Sequence, residues 1–184
     1  MSDSHQPSVL LVEDEERVAR TYELRLGSEY DVTTALGGTE ALALVDDSFD
    51  VVLLDRRMPD VSGDEVLAEI RRRSLDCRVV MVTAVDPDFD ITEMNFDGYV
   101  VKPVGKEDLR EAIERALTIS EYNDQIQKLS SLKLRRNVLE VEMADHELQD
   151  HHRYQDLNKK IEALEEEVEE VEKTIDLNEV DLHL

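Results

Sequence analysis

The sequence predicts an α/β protein with a parallel sheet, followed by an all-helical tail, and three observations carry that prediction. Short apolar runs alternate with amphipathic stretches through the first part of the chain, the pattern of repeated strand-helix-strand units. Successive runs end abruptly in a polar residue, above all Val51-Val52-Leu53-Leu54, which runs into Asp55. Every glycine (27, 37, 38, 63, 98, 105) and every proline (7, 59, 87, 103) lies before residue 106, so residues 106–184 contain no helix breaker.

The first strand is Val9-Leu10-Leu11-Val12, which ends in Glu13-Asp14-Glu15-Glu16. Residues 15–27 follow as a helix with Val18, Tyr22 and Leu26 on one face and Gly27 as its stop, and residues 30–34 make a short strand. Gly37-Gly38-Thr39 opens a second helix through Ala41, Leu42, Leu44 and Val45, with the glycines supplying the entry turn. The central strand to Asp55 comes next, a four-residue apolar run of the kind that is buried on both faces of a parallel sheet. Gly63 and Asp64 begin a third helix carrying Val66, Leu67 and Ile70. It ends in Arg71-Arg72-Arg73, read as a solvated helix end because adjacent side chains diverge on a helix and cations favour its C-terminus. Residues 78–82 are the fourth strand, preceded by Cys77 as a small core residue. Pro87 and the acids Asp86, Asp88 and Asp90 leave space for only a short or irregular fourth helix, around Ile91 to Phe96.

The chemistry concentrates where strands end. An Asp after a strand is often a loop cap, but open α/β sheets also place ligands at the C-terminal edge of their strands. If the first and central strands are neighbours, Glu13, Asp14 and Asp55 converge. Three carboxylates at one point raise one another's pKa and call for a cation, and hard oxygen ligands at an open edge suit Mg2+. Later strand ends add the hydroxyl of Thr83 and, in Tyr99-Val100-Val101-Lys102-Pro103, the ammonium of Lys102.

In these motifs residues 7–117 closely resemble the receiver domain of two-component response regulators, a flavodoxin-like, doubly wound, five-stranded parallel sheet. The resemblance implies that Asp55 is the phosphoacceptor and that Mg2+ is held directly by Asp14, Asp55 and the backbone carbonyl of Arg57, and through water by Glu13. It further implies that Thr83 binds a phosphoryl oxygen, that Lys102 pairs with the phosphate across a cis Lys102-Pro103 bond, and that Tyr99 is the switch aromatic. Arg57 and Val85 occupy the positions that tune access of hydrolytic water in receivers. Neither is a base, so Arg57 is expected to shield the phosphoryl group.

The fifth helix packs on the sheet through Leu109, Ile113, Ala116 and Leu117 and is expected to continue through Tyr122, Ile126, Leu129 and Leu132 into a second domain, residues 118–184. There Tyr154, Leu157, Ile161, Leu164, Val168, Val171 and Ile175 recur at heptad spacing, a seam that must be buried in a helical hairpin or against another chain. The polar stretch 144–152 between the periodic parts fits either a turn or the surface of one long helix. Its His146, His151 and His152 are read as solvated, since neighbours on a helix diverge by about 100° and cannot share a metal. The tail resembles the HalX domain that follows receivers in a group of haloarchaeal response regulators.

Formal net charge is −24, with −14 on residues 1–117 and −10 on 118–184, so neither part has a basic footprint for nucleic acid. Such acidity, with only seven lysines, matches proteins of salt-accumulating organisms, where ionic strength screens self-repulsion. Cys77 is the single cysteine, and no signal peptide or membrane-length apolar run is present. A cytoplasmic location is expected. The resulting expectation is a response regulator that takes a phosphoryl group from a sensor histidine kinase and is not otherwise an enzyme. Its output is expected through protein association of the tail, a homodimer included, without nucleic acid or membrane. The alternatives are a coiled-coil scaffold with a regulatory receiver and an aspartate-dependent phosphatase. The latter needs an acid/base Asp where Arg57 stands.

Overall fold

The structure is a computed structural model that describes residues 6–84, 94–143, 148 and 151–180. The chain divides into two compact units, Met1–Leu117 and Thr118–Leu184. In the first, β1 (Ser8–Val12), β2 (Asp31–Ala35), β3 (Val51–Leu54), β4 (Arg78–Thr83) and β5 (Gly98–Val101) form one parallel sheet in the order β2-β1-β3-β4-β5. The helices between them are α1 (Glu16–Leu26), α2 (Gly38–Leu44) and α3 (Gly63–Arg72). After β5 comes α4 (Lys106–Glu142), one helix in which the boundary between the two units falls.

Strand alternation sorts the core into two layers, because successive side chains leave opposite faces of a sheet. Leu10, Val52, Leu54, Val79 and Met81 pack with Ala41, Val66, Leu67 and Ile70 of α2 and α3. Val9, Leu11, Val51, Leu53, Val80 and Val82 pack with Tyr22 and Leu26 of α1 and with Leu109 and Ile113 of α4. The sheet is therefore doubly wound, and Val51 to Leu54 are all fully buried. Cys77 is buried in the first layer, as its neighbours implied.

Two glycines shape the approach to the sheet edge. Gly37, before α2, has φ 122°, a conformation that side chains with a Cβ avoid. At Gly63 a Cβ would stand 2.1 Å from the Asp55 carbonyl oxygen, so α3 can start against the end of β3 only with glycine there. Ser62 caps that helix in a capping box with Glu65, a Ser-x-x-Glu signal in the sequence that helps to fix where the helix begins.

Among the arginines at the end of α3, Arg71 departs from expectation. Arg71 is not solvated: its guanidinium pairs with Asp97 at 2.6 Å and donates to the carbonyls of Asn95 and Cys77. Asp97 also accepts from Arg78 at 3.3 Å and from the Val79 amide at 2.7 Å, so it ties α3 to the segment entering β5. Arg72 and Arg73 both pair with Glu69 and hold its carboxyl down at about 2. The fourth helix expected around residues 91–96 falls largely outside the described residues, and Met94 to Phe96 are not helical.

In the second unit, Tyr122, Ile126, Leu129 and Leu132 of α4 pack against Leu157, Ile161, Leu164 and Val168 of α5 (His152–Val180). Lys133 pairs with Glu165 at 2.6 Å, and Tyr154 donates to Glu140 at 2.7 Å, so the later part of one helix meets the earlier part of the other. The two helices form an antiparallel hairpin, and the heptad seam is covered within the chain from Leu157 to Val168, with Val171 and Ile175 half-buried. His152 pairs with Asp156 at 3.0 Å, while His146 lies outside the described residues.

Replacing Asp97 with Ala should destabilise the first unit by about 2 kcal/mol, because two partly buried guanidinium groups and an amide lose their acceptor. Urea unfolding of wild type and variant checks this. A loss below roughly 0.5 kcal/mol, the scale of an ordinary surface substitution, would contradict it.

Candidate functional site

The strand order reverses between β1 and β3: the chain passes from β1 to β2 on one side, then crosses to β3 on the other. Ligands of open α/β sheets bind outside the carboxyl ends of strands at such a switch point. Leu54 is opposite Val12 on β1 and opposite Met81 on β4. One step further along, the Asp55 amide donates to the Val12 carbonyl at 3.0 Å, which brings Asp55 beside Glu13 and Asp14.

The expected acids do meet. Carboxylate oxygens of Glu13, Asp14 and Asp55 lie within 4.8 Å of one another, and among the described residues this is the only such cluster. Glu13 and Asp55 are buried, at 2% and 8% exposure, while Asp14 is the open member. Lys102 reaches into the cluster, its Nζ 2.6 Å from Glu13 Oε2 and 2.6 Å from Asp55 Oδ2. The Lys102-Pro103 peptide bond is cis, and the Lys102 amide donates to the Thr83 carbonyl at 2.8 Å, holding the ends of β4 and β5 together. Thr83 is fully buried at the end of β4. The Arg57 amide donates to Asp55 Oδ1 at 3.1 Å, which sets that backbone against the carboxylate, while the Arg57 side chain is exposed. Tyr99 pairs with Met81 in the sheet, and its ring lies 5.5 Å from that of Phe96. Val85 lies outside the described residues.

The charges do not balance. Burial raises the Glu13 carboxyl above its ordinary value; the Lys102 hydrogen bond and charge oppose that rise without cancelling it, and the Asp55 charge adds to it. On Lys102 burial acts to lower the pKa, but hydrogen bonds and charge from Asp55 and Glu13 prevail and hold it raised. One ammonium among three carboxylates leaves room for a second cation. The donors on offer are hard oxygens at an edge with one open member, a set that fits Mg2+.

The sequence reading missed Arg56. Its Nε lies 3.1 and 3.2 Å from the two Asp64 oxygens, and its guanidinium also hydrogen-bonds the Tyr99 side chain. Asp64 in the first turn of α3, eight residues on, was the available signal, but only the fold shows that the loop brings it back to the strand end.

Residues 9–114 match the response regulator receiver domain family, and residues 118–181 match the HalX domain. The chain belongs to the response regulator family. A Haloferax volcanii protein named "Putative transcriptional regulator" is 46% identical over 88% of this chain, although the match spans only 28% of that protein. The uncharacterised transcriptional regulatory protein YkoG of Bacillus subtilis is 35% identical over 76% of this chain and 68% of its own length. Among solved structures, the response regulator TrrA of Thermotoga maritima in complex with Mg2+ and BeF is 32% identical over 60% of this chain and 99% of its own, with a TM-score of 0.54. Among the described residues no helix is long and apolar enough to cross a membrane.

In metal-free protein, Lys102→Gln should move the Glu13 carboxyl further up, since the group that opposes burial is removed. A folded value above the unfolded one means that the native state holds more protons in that window. Stability therefore falls as pH rises through it, and the variant should extend the fall to higher pH. Carbon-detected NMR titration of Glu13 reads the shift, and an unmoved or lowered midpoint would contradict it.

Proposed function

We propose that this response regulator is a phosphorylation-timed switch in which Asp55 accepts a phosphoryl group from the phosphohistidine of a sensor histidine kinase in the cytoplasm. The observation that carries the reading is the buried Asp55 carboxylate at the switch point, flanked by Glu13 and Asp14 and contacted by Lys102 at 2.6 Å. An Asp55 oxygen attacks phosphorus, the P–N bond to the donor histidine breaks, and the histidine nitrogen regains a proton. The product is an acyl phosphate on Asp55. Asp14, Asp55 and the Arg57 carbonyl would hold Mg2+ directly and Glu13 through water, and the ion supplies charge neutralisation for the phosphoryl oxygens.

The chain's own groups do the rest. Lys102 already contacts Asp55 and pairs with the incoming phosphoryl oxygens, while Glu13 keeps its ammonium at the site. Thr83 moves toward the new oxygens, and Tyr99 fills the space it leaves. Because Arg56 bonds both Tyr99 and Asp64, that movement reaches the start of α3. Chemistry ends with self-phosphorylation and its reversal. A phosphatase would need an acid/base at position 57, and an arginine does not give up its proton.

Output runs through protein association of the tail. Glu165, Glu166, Glu167, Glu169 and Glu170 are exposed around the covered seam and would repel a phosphate backbone. The seam is occupied within the chain, so a partner must use another face.

Asp55→Asn should abolish Mg2+-dependent labelling by a small phosphodonor, and full labelling of that variant would overturn the reading. Arg57→Ala should speed decay of the acyl phosphate by exposing it to water; an unchanged decay rate would remove the shielding role. Sequence-specific DNA binding by the full chain would overturn the assignment of output.

A further inference from the structure

With the α5 seam covered, α4 still carries a second apolar row. Leu134, Val138 and Val141 are 64%, 54% and 81% exposed. Spacings of four and three put their directions within about 60° of one another, so they make one narrow stripe. The seam-facing residues Leu129 and Leu132 lie on a different side of the helix.

The charges beside the stripe say what covers it. Lys133, Arg135 and Arg136 precede Val138, and Glu140 and Glu142 follow it, so the segment is basic in its first half and acidic in its second. Lys133 and Arg136 have ion-pair partners within the chain, in Glu165 and Glu140. Arg135 and Glu142 are exposed, and neither has an ion pair with another described residue. These two lie seven residues apart and about 20° from each other around the helix, on the same flank of the stripe. A two-fold axis through Val138 lays an antiparallel copy on the stripe and brings like flanks together. Leu134 then lies within one residue's rise, about 1.5 Å, of Val141 of the second copy, and Arg135 likewise of Glu142 of the second copy, each twice. A parallel copy would instead put the two flanks on opposite sides of the contact, so that Arg135 and Glu142 would not meet.

We propose that α4 carries a self-association face, the stripe Leu134-Val138-Val141 flanked by Arg135 and Glu142, which binds the same stripe of a second copy antiparallel. The inference rests on the reading that the tail acts through protein association, and it names the face and the partner. A stripe this narrow buries less than the roughly 1,000 Å² of a stable complex, so the dimer is weak and concentration-dependent. Both copies are strongly acidic, and rising salt relieves their mutual repulsion while also weakening the two flank pairs.

Sedimentation of the full chain over a concentration series tests this, at about 0.15 M salt where screening sets in at about 8 Å. Circular dichroism confirms an unchanged helix content. Wild type should pass from monomer to dimer, and Val138→Asp should weaken association more than about tenfold by placing two carboxylates at the axis. Arg135→Glu and Glu142→Arg should each weaken it about fivefold, and the double variant should restore it, because the swapped charges again face opposites. A monomeric wild type, a dimer indifferent to Val138→Asp, or a double variant no better than the singles would overturn the proposal. Asp55 labelling should be unchanged in every variant, so its loss and the loss of the dimer are separate failures. A monomer that binds DNA specifically overturns the tail reading itself, whereas a monomer that does not overturns this face alone.

Discussion

Everything at the functional edge depends on one constraint: carboxylates brought together by neighbouring strands must be neutralised. The pairing of β1 with β3 puts Glu13 and Asp55 side by side; burial raises the Glu13 carboxyl, and the Lys102 ammonium, 2.6 Å from each carboxylate, opposes that rise. Lys102 stands there with its amide bonded to the Thr83 carbonyl, which holds the end of β5 against β4. Glycine at 63 lets α3 begin against the Asp55 carbonyl. Sheet order, a backbone bond and a glycine thus converge on one ammonium. Its single charge leaves the cluster short of balance, which gives a further cation a physical reason to bind.

Much of this was legible in the chain. The strands ending at Val12, Leu54, Thr83 and Val101 were visible as apolar runs stopped by polar residues, and their parallel order follows from the alternation with helices. The site acids and Lys102 were readable because chemistry sits at strand ends. Arg71 was misread for the opposite reason. Its helix end looks solvated in sequence, but Asp97, 26 residues away, waits beside it in the fold. Arg56 was missed likewise: side-chain bonds across a loop leave no periodic trace.

In the tail, heptad spacing identified the seam of α5 but not what covers it. Periodicity reports that a face is buried and is silent about against what. The intrachain answer, given by Leu129 and its neighbours on α4, moves any association to other surfaces. It also changes how the acid is understood: the glutamates of α5 surround a seam already satisfied, whereas the stretch of α4 before Val138 is basic.

The most direct measurement is fluorine NMR of the full chain with beryllofluoride, which adds to an aspartate carboxylate as a phosphoryl group would. Bound fluorine signals that need Mg2+, vanish on chelation and shift the amides of Thr83, Tyr99 and Lys102 would agree with a metal-assisted phosphoacceptor at Asp55. Absence of bound signal, or binding indifferent to Mg2+, would contradict it.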